Sequence, residues 1–120
     1  MLDTVYAALR AMRPPFAMYE YDIHQMVSEC LAENRLDFTH EAKIGAGCRI
    51  DFLSSGVGIE IKKGKPIPAV LLRQLHRYAA CEAVDSLIIV TQRSVQLPKS
   101  VNEKPLRHIV LSQLWGVALP

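Results

Sequence analysis

The chain has 120 residues, of which 50% are hydrophobic and 22% are charged, and its formal net charge at pH 7 is +2. This length allows one domain with a substantial hydrophobic core and leaves little room for a second domain. A net charge so close to zero does not by itself indicate a nucleic-acid-binding protein, so any basic surface must come from the local arrangement of residues.

Hydropathy and cysteine spacing indicate where the protein works. No apolar run approaches the about 20 residues that a membrane-spanning helix needs, and the first residues lack the charged-then-apolar layout of a signal peptide. We therefore expect an intracellular, cytoplasmic protein with no membrane partner. Cys30, Cys48 and Cys81 are widely spaced and form no CxxC pair, which favours free, buried or half-buried thiols over metal ligands or a disulfide.

Two helices are predicted first. Apolar residues recur at helical spacing over residues 2–12, and a proline pair follows them, so we interpret residues 1–13 as a helical appendage. A longer amphipathic helix is predicted over residues 16–36. Its core-facing stripe is formed by Ile23, Val27, Cys30 and Leu31.

Three strands follow, at residues 38–44, 47–53 and 57–62, separated by short glycine-containing turns. We expect them to form an antiparallel meander, because tight turns join antiparallel neighbours. Pro68 is then well placed as the first residue of a helix. The apolar stripe of this helix is formed by Leu71, Leu72, Leu75 and Ala79.

The rest of the chain is predicted to contribute two more strands. The continuous apolar run SLIIVTQ, residues 86–92, indicates a strand that is buried on both faces and pairs in parallel through the preceding helix. A polar loop is expected over residues 97–105. A last strand near residues 108–112 and a turn around Trp115 complete the chain.

This order of elements predicts a single α/β domain with a mixed sheet and helices on its faces. We place the core of the domain at residues 16–91, and a C-terminal strand and turn at residues 106–120. The connection from the third strand to the fourth should be right-handed.

The second and third strands carry charged residues whose register matters. An even-length turn at the SSG segment sets Asp51 opposite Glu60 and Arg49 opposite Lys62. Two carboxylates about 5 Å apart repel each other unless a cation lies between them. A divalent ion would turn this repulsion into chelation, and hard oxygen ligands suit Mg²⁺ or Mn²⁺. Alternatively, the acids pair with Arg49 and Lys62 on a solvated face, and the hairpin alone does not decide between the two.

Two helical features add to this cluster. Glu20 falls on the apolar stripe one turn before Ile23, and a carboxylate buried there needs a cation or another partner. Alternatively, Glu20 simply lies near the start of its helix, where the helix dipole favours acids. Gln74 and Tyr78 share one face of the third helix, where they could orient a ligand or be ordinary boundary residues. The four histidines show no ligand spacing, although His24 lies one turn from Glu20 and could approach the cluster.

In this combination the chain resembles the PD-(D/E)xK nuclease superfamily, and most closely its RecB-like and Holliday junction resolvase branch. The resemblance spans about residues 16–91 and departs from the usual pattern at Ile50, which stands where a proline often precedes the aspartate. It implies a restriction-endonuclease-like αβββαβ core and a metal-dependent DNA nuclease that hydrolyses phosphodiester bonds. In chain order, it is carried by Glu20, Asp51 in RIDF, Glu60-x-Lys62 and Gln74-x-x-x-Tyr78.

The resemblance also implies roles for these residues. Asp51 and Glu60 would bind Mg²⁺ or Mn²⁺, the carbonyl of Ile61 would be a further ligand, and Glu20 would reach the same or a second ion. Lys62 would lie beside the attacking water, where it either stabilises the transition state or acts as a base. DNA would be the partner, and each cation among its predicted contacts could instead be a solvated surface charge. The predicted substrate contacts are Gln74, Tyr78, Arg49, Lys63, Lys65, Arg73 and Arg77.

Three hypotheses follow from the sequence. The leading one is a metal-dependent DNA nuclease, and the second is a non-catalytic protein of the same fold that binds nucleic acid or organises a complex. The third is a small α/β interaction protein in which the acids form structural ion pairs. A homodimer or higher homo-oligomer would suit a nuclease that acts on two strands. The sequence leaves endonuclease and exonuclease action equally open.

Overall fold

A computed structural model describes residues 1–15 and 18–117 of the chain. The positions that we predicted at residues 16 and 17, and at 118–120, lie outside the described residues. The elements, in chain order, are helix α1 (Leu2–Arg10), helix α2 (Glu20–Glu33), strands β1 (Thr39–Gly45), β2 (Cys48–Ser54) and β3 (Val57–Lys62), helix α3 (Pro68–Ala79), strands β4 (Ser86–Thr91), β5 (Ser100–Val101) and β6 (Lys104–Val110), and helix α4 (Leu111–Val117).

The strands form a six-stranded sheet in the order β1-β2-β3-β4-β6-β5. The first three strands are antiparallel neighbours, as the meander predicted. Strand β4 pairs in parallel with β3 and with β6, and all six of its residues are buried, which confirms the prediction from its apolar run. The protein is therefore an α/β protein with a mixed sheet, as expected from the order of its elements.

The β2–β3 turn fixes the register on which the predicted carboxylate pair depends. Its two residues, Ser55 and Gly56, have φ angles of +49° and +84°. Positive φ at both central positions is typical of the tight turn that matches the twist of a hairpin. The ladder next to the turn pairs Ser54 with Val57 and Phe52 with Ile59. This is the even-length register that the sequence predicts.

Helices pack on both faces of the sheet and produce two apolar clusters. On one face, α1 and α2 cover the sheet through fully buried side chains that include Val5, Leu9 and Val27. On the other face, α3 packs Leu71 and Leu75 against the sheet. The interpretation of residues 1–13 as an appendage is therefore wrong, because the apolar stripe of α1 is buried in the core of its own domain.

Four features differ from the predictions. Helix α2 begins at Glu20 rather than in the segment before it. The stretch predicted as a polar loop contains β5 and the start of β6, because Asn102 and Glu103 have positive φ and form a second tight turn. Strand β6 accordingly begins at Lys104 and ends at Val110, earlier than predicted. The expected turn around Trp115 belongs instead to the helix α4.

The environments of the three cysteines agree with the expectation of free, buried or half-buried thiols. Cys30 is buried and Cys48 and Cys81 are half-buried, and all three are free thiols. Within residues 1–15 and 18–117, none of the helices is both long enough and apolar enough to cross a bilayer.

Candidate active site

Strands β2 and β3 pair next to their turn and then separate, and two acids lie where they part. The ladder ends at the pair of Phe52 and Ile59. At the next position, the backbone N–H of Asp51 donates a hydrogen bond to Oε1 of Glu60 at 3.2 Å. In return, the backbone N–H of Ile61 donates to Oδ2 of Asp51 at 2.8 Å. Each carboxylate thus accepts the bond that a backbone carbonyl accepts elsewhere in the ladder, and we call this pair the carboxylate fork.

The register beyond the fork differs from the prediction for the basic residues. We expected Arg49 to lie opposite Lys62, but β2 no longer pairs with β3 at that point. Arg49 instead pairs with Lys43 of β1. The separation of the strands at the fork removes the cross-strand neighbour that the simple hairpin register would provide.

Glu60 is the buried member of the fork. Glu60 is only 4% exposed, and its Oε2 lies 3.1 Å from Nζ of Lys62. Burial raises the pKa of Glu60 to about 7, the charge of Asp51 adds to this rise, and Lys62 and Tyr78 oppose it. The remaining excess of negative charge means that another cation at the fork would stabilise the ionised form of Glu60.

Helix α3 supplies a hydrogen-bonded chain that ends on Glu60. The hydroxyl of Tyr78 donates to Oε2 of Glu60 at 3.0 Å, and Nε2 of Gln74 donates to the Tyr78 hydroxyl at 2.7 Å. The prediction that these two residues share a helix face is confirmed. Tyr78 is 2% exposed, and burial together with Glu60 raises its pKa above its usual value. Tyr78 therefore stays protonated and positions the Glu60 carboxylate from beneath, rather than at the rim.

Helix α2 brings a histidine to the other acid. Nε2 of His24 lies 3.8 Å from Oδ2 of Asp51, and its Nδ1 lies 2.9 Å from Nε2 of His40. The imidazole of His40 stacks on Phe52, with ring centres 4.5 Å apart and an interplanar angle of 15°. His24 is thus a site residue to which the sequence analysis assigned no chemistry. Its position one turn after Glu20 was the available signal.

Glu20 does not occupy the buried position that its helical phase predicts. It is the first residue of α2 and it is exposed, so the alternative that placed it at the helix start describes its environment. It lines a surface cavity of about 300 Å³ together with Tyr21, His24 and His40. Glu20 therefore lies at the edge of the site, one helical turn from the histidine that approaches Asp51.

Two consecutive lysines lie at the end of β3 and just after it, one facing the fork and one exposed. Lys62 is half-buried and faces Glu60, whereas the next residue, Lys63, is exposed and places its Nζ 5.1 Å from the ring centre of Tyr19. The loop after β3 is fixed, because the N–H of Gly64 donates to Oε1 of Gln92 at 2.8 Å. The other predicted phosphate contacts that are exposed are Arg49, Lys65, Arg73 and Arg77.

The fork offers oxygen ligands for a hard cation. No group of three or more His, Cys, Asp or Glu side chains arranged to hold a metal ion occurs in the part of the chain that the structure describes. Two carboxylates can nevertheless be enough for Mg²⁺, which keeps several of its waters and is often bound by one or two protein carboxylates. The residues at the fork therefore fit such an ion only with water as most of its ligands.

Comparisons with known proteins assign no family. No family model matches the chain, and neither a curated protein nor a solved structure matches it. A functional interpretation of the site therefore has to come from its geometry and its charges.

Proposed function

We propose that the chain is a metal-dependent DNA nuclease of the PD-(D/E)xK superfamily, with a restriction-endonuclease-like core, that hydrolyses phosphodiester bonds at the carboxylate fork. The observation that carries the proposal is the fork itself, in which Asp51 and Glu60 each accept a backbone N–H from the opposite strand. Burial, and after it the charge of Asp51, raises the pKa of Glu60 to about 7. Such an arrangement costs stability, and a bound cation would offset that cost by neutralising the negative charge.

The residues of the fork would hold Mg²⁺ or Mn²⁺. The ligands would be the carboxylates of Asp51 and Glu60 and the carbonyl of Ile61, with water in the remaining positions and Glu20 reaching the ion through water. When bound, such an ion acidifies a water molecule and polarises the phosphoryl group. Positive charge at this point also offsets the mutual repulsion of the two acids.

Other side chains would bind and orient the substrate. Lys62, whose ammonium group is 3.1 Å from Glu60 and whose side chain is 30% exposed, can face a phosphate and stabilise the charge that develops on its oxygens. Tyr78 and Gln74 keep the Glu60 carboxylate in one orientation. The exposed basic residues would contact the phosphates of the DNA backbone and would not distinguish its sequence. They are Arg49, Lys63, Arg73 and Arg77.

One observation favours a second candidate. Both oxygens of Glu60 already have partners within the protein: Oε1 accepts from Asp51, and Oε2 accepts from Tyr78 beside Lys62. A network that is complete in this way can serve stability and specificity of the fold alone. The chain would then be a non-catalytic protein of the same fold that binds nucleic acid or organises a complex.

A cleavage assay separates these two candidates. Supercoiled plasmid, linear duplex, single strands and a four-way junction are incubated with EDTA, Mg²⁺ or Mn²⁺. Asp51→Asn keeps an acceptor for the N–H of Ile61 but removes the charge, and Lys62→Ala removes the ammonium group. We expect both variants to cleave at least about 100-fold more slowly than the wild type, because each removes charge stabilisation that acts in the transition state.

Matched controls make the result specific to the fork. Lys99→Ala and Glu82→Gln change the same kinds of charge at exposed positions away from the site, and both should cleave like the wild type. Cleavage by Asp51→Asn and Lys62→Ala at the wild-type rate would contradict the nuclease proposal. DNA binding without cleavage of any substrate would favour the second candidate.

A further inference from the structure

Two exposed tyrosines stand out on the surface near the start of α2. Within the described residues, five large hydrophobic side chains are strongly exposed, and Tyr19 and Tyr21 lead them at 76% and 75%. Isolated exposed apolar residues are common on any protein. Two aromatic residues two positions apart in the sequence, each with most of its surface free, instead suggest a binding surface.

Both tyrosines lie on the approach to the carboxylate fork. Tyr19 contacts Lys63 through its ring, and Lys63 follows the Lys62 that faces Glu60. Tyr21 lines the cavity that it shares with His24, and His24 in turn approaches Asp51. The two rings thus reach the fork from different sides, one through the lysines and the other through the histidine.

The start of α3 adds exposed aliphatic surface. Val70, Gln74 and Tyr78 recur at intervals of four residues, so they lie along one row of α3. Tyr78 at one end of this row bonds to Glu60, whereas Val70 at the other end is 50% exposed. Ile67, just before the helix, is 68% exposed. Four of the five exposed large apolar side chains are therefore linked, through neighbours in sequence or space, to the fork.

Tyr21 shares its cavity with the acids Glu20 and Glu41, but the charge beside Tyr19 favours a polyanion over a protein partner. The segment from residue 61 to residue 70, IKKGKPIPAV, contains three lysines and no acid. A surface that combines aromatic rings with closely spaced cations is the arrangement by which proteins bind single-stranded nucleic acid, because each base stacks on a ring while the phosphates contact the cations. Paired bases in a duplex have their faces covered by stacking and cannot use such rings.

We infer that the fork acts on unpaired DNA, with bases stacked on Tyr19 and Tyr21 and with phosphates bound by Lys63 and Lys65. The inference rests on the proposed nuclease function for the chemistry that follows binding. The binding step itself requires only the rings and the lysines, so it can be measured without cleavage.

The experiment measures binding in EDTA, so that metal-dependent cleavage does not occur. A fluorescent oligothymidine of about 15 nucleotides, within the range that single-strand-binding domains occupy, is titrated with the wild type, and a duplex of mixed sequence competes. We expect Tyr19→Ala and Tyr21→Ala each to weaken single-strand binding about tenfold, with little change in the weaker duplex binding. Tyr19→Phe and Tyr21→Phe keep the rings and should bind like the wild type.

Folding does not confuse this result, because both side chains project into solvent and their removal leaves the core intact. Circular dichroism and thermal unfolding of each variant check this. The inference is overturned if the double alanine variant binds the single strand like the wild type, or if the wild type binds the duplex more tightly. Dimerisation that is lost in Tyr19→Ala, without single-strand binding, would assign the rings to an interface between copies of the chain and would also overturn it.

The two proposals fail in different ways. Single-strand binding that depends on the tyrosines, with no cleavage in Mg²⁺ or Mn²⁺, supports the inferred surface and contradicts the nuclease. Metal-dependent cleavage of duplex DNA that is lost in Asp51→Asn but unchanged in the tyrosine variants supports the nuclease and contradicts the inferred surface.

Discussion

The two ends of the β2–β3 hairpin belong to the same strands but satisfy their backbone N–H groups in different ways. Next to the turn, Phe52 pairs with Ile59, and Gly58 leaves just enough room for the apolar side chains packed around it. At the fork, two carboxylates replace backbone acceptors, and one of them is buried with a raised pKa. The comparison teaches that the two ends affect stability in opposite ways. Packing at the turn end stabilises the protein, whereas the two neighbouring acids at the fork destabilise it.

The largest effect should come from removing charge at the fork. Under the proposed function, we expect Glu60→Gln to reduce metal-dependent cleavage by at least about 100-fold, because the proposed ion would lose its buried carboxylate ligand. The same substitution should raise the stability of the metal-free protein at pH 7.5, since it removes a charge that burial disfavours and that Asp51 repels. Steady-state cleavage and urea unfolding in EDTA measure the two changes. If Glu60→Gln is both less active and less stable than the wild type, the claim that the fork lowers stability is wrong.

The stability of the metal-free protein should fall as the pH rises from about 4.5 to about 7. Unfolded Glu60 loses its proton near its ordinary pKa of 4.5, whereas the folded protein keeps that proton until about pH 7. In this window the folded state binds more protons, so the free energy of unfolding decreases with pH, by up to ~3 kcal/mol. Urea unfolding in EDTA at pH 5 and pH 7.5 measures the change.

The matched variant isolates the contribution of Glu60 to this pH dependence. His108 has a pKa lowered by burial, so it destabilises the protein as the pH falls below its ordinary value and acts in the opposite direction. Because His108 is present in both proteins, the difference between the wild type and Glu60→Gln reports on Glu60 alone. Mg²⁺ at pH 7.5 should stabilise the wild type and not the variant. Equal pH profiles for the two proteins would contradict the prediction.

A smaller effect is expected from a substitution at the turn end, which should lower stability and leave cleavage unchanged. A Cβ atom at position 58 would lie 2.7 Å from Cδ1 of Ile50 and 3.1 Å from Cδ2 of Leu87. We expect Gly58→Ala to lower the free energy of unfolding by about 2 kcal/mol through overpacking. Cleavage per folded molecule should stay unchanged at temperatures well below the unfolding midpoint. Ser55→Ala, at an exposed position of the same turn, should change stability by less than about 0.5 kcal/mol.

The smallest effect should follow from loosening the support of Glu60. Tyr78→Phe removes the hydroxyl that donates to Oε2 of Glu60 while it keeps the buried ring. We expect a loss of about 1 kcal/mol of stability and cleavage roughly tenfold slower, because the carboxylate is less well oriented. Gln74→Ala, one step further from the fork, should act in the same direction with a smaller change. Slower cleavage in Gln74→Ala than in Tyr78→Phe would contradict the hydrogen-bonded order in which Gln74 acts on Glu60 through Tyr78.

The sequence predicts the hairpin well because the signals there are local. Alternation along the strands, a two-residue turn and the even register are enough to place Asp51 opposite Glu60, and the helical spacing of Gln74 and Tyr78 places them on one face. The contact between His24 and Asp51 is different, because it depends on how α2 lies across the sheet. No periodicity within either element carries that information.

Two errors have the same physical origin. The apolar stripe of α1 indicates that the helix packs against something, but the sequence does not say against what, and the structure places it in the core of its own domain. The phase of α2 would bury Glu20 if the helix continued through it, but the helix begins there and the side chain is exposed. Burial is a property of tertiary packing, which helical spacing predicts only in the interior of an element.

The short ladder between β2 and β3 has a mechanical consequence. Backbone pairing joins β2 to β3 at three residue pairs, all next to the turn, whereas β3 pairs in parallel with β4 along its whole length. Backbone pairing therefore holds the strand of Glu60 along its whole length, whereas at Asp51 side-chain hydrogen bonds replace the backbone pairing of β2 with β3. If the fork holds a cation as proposed, the distance between its two carboxylate ligands depends on side-chain hydrogen bonds rather than on a backbone ladder.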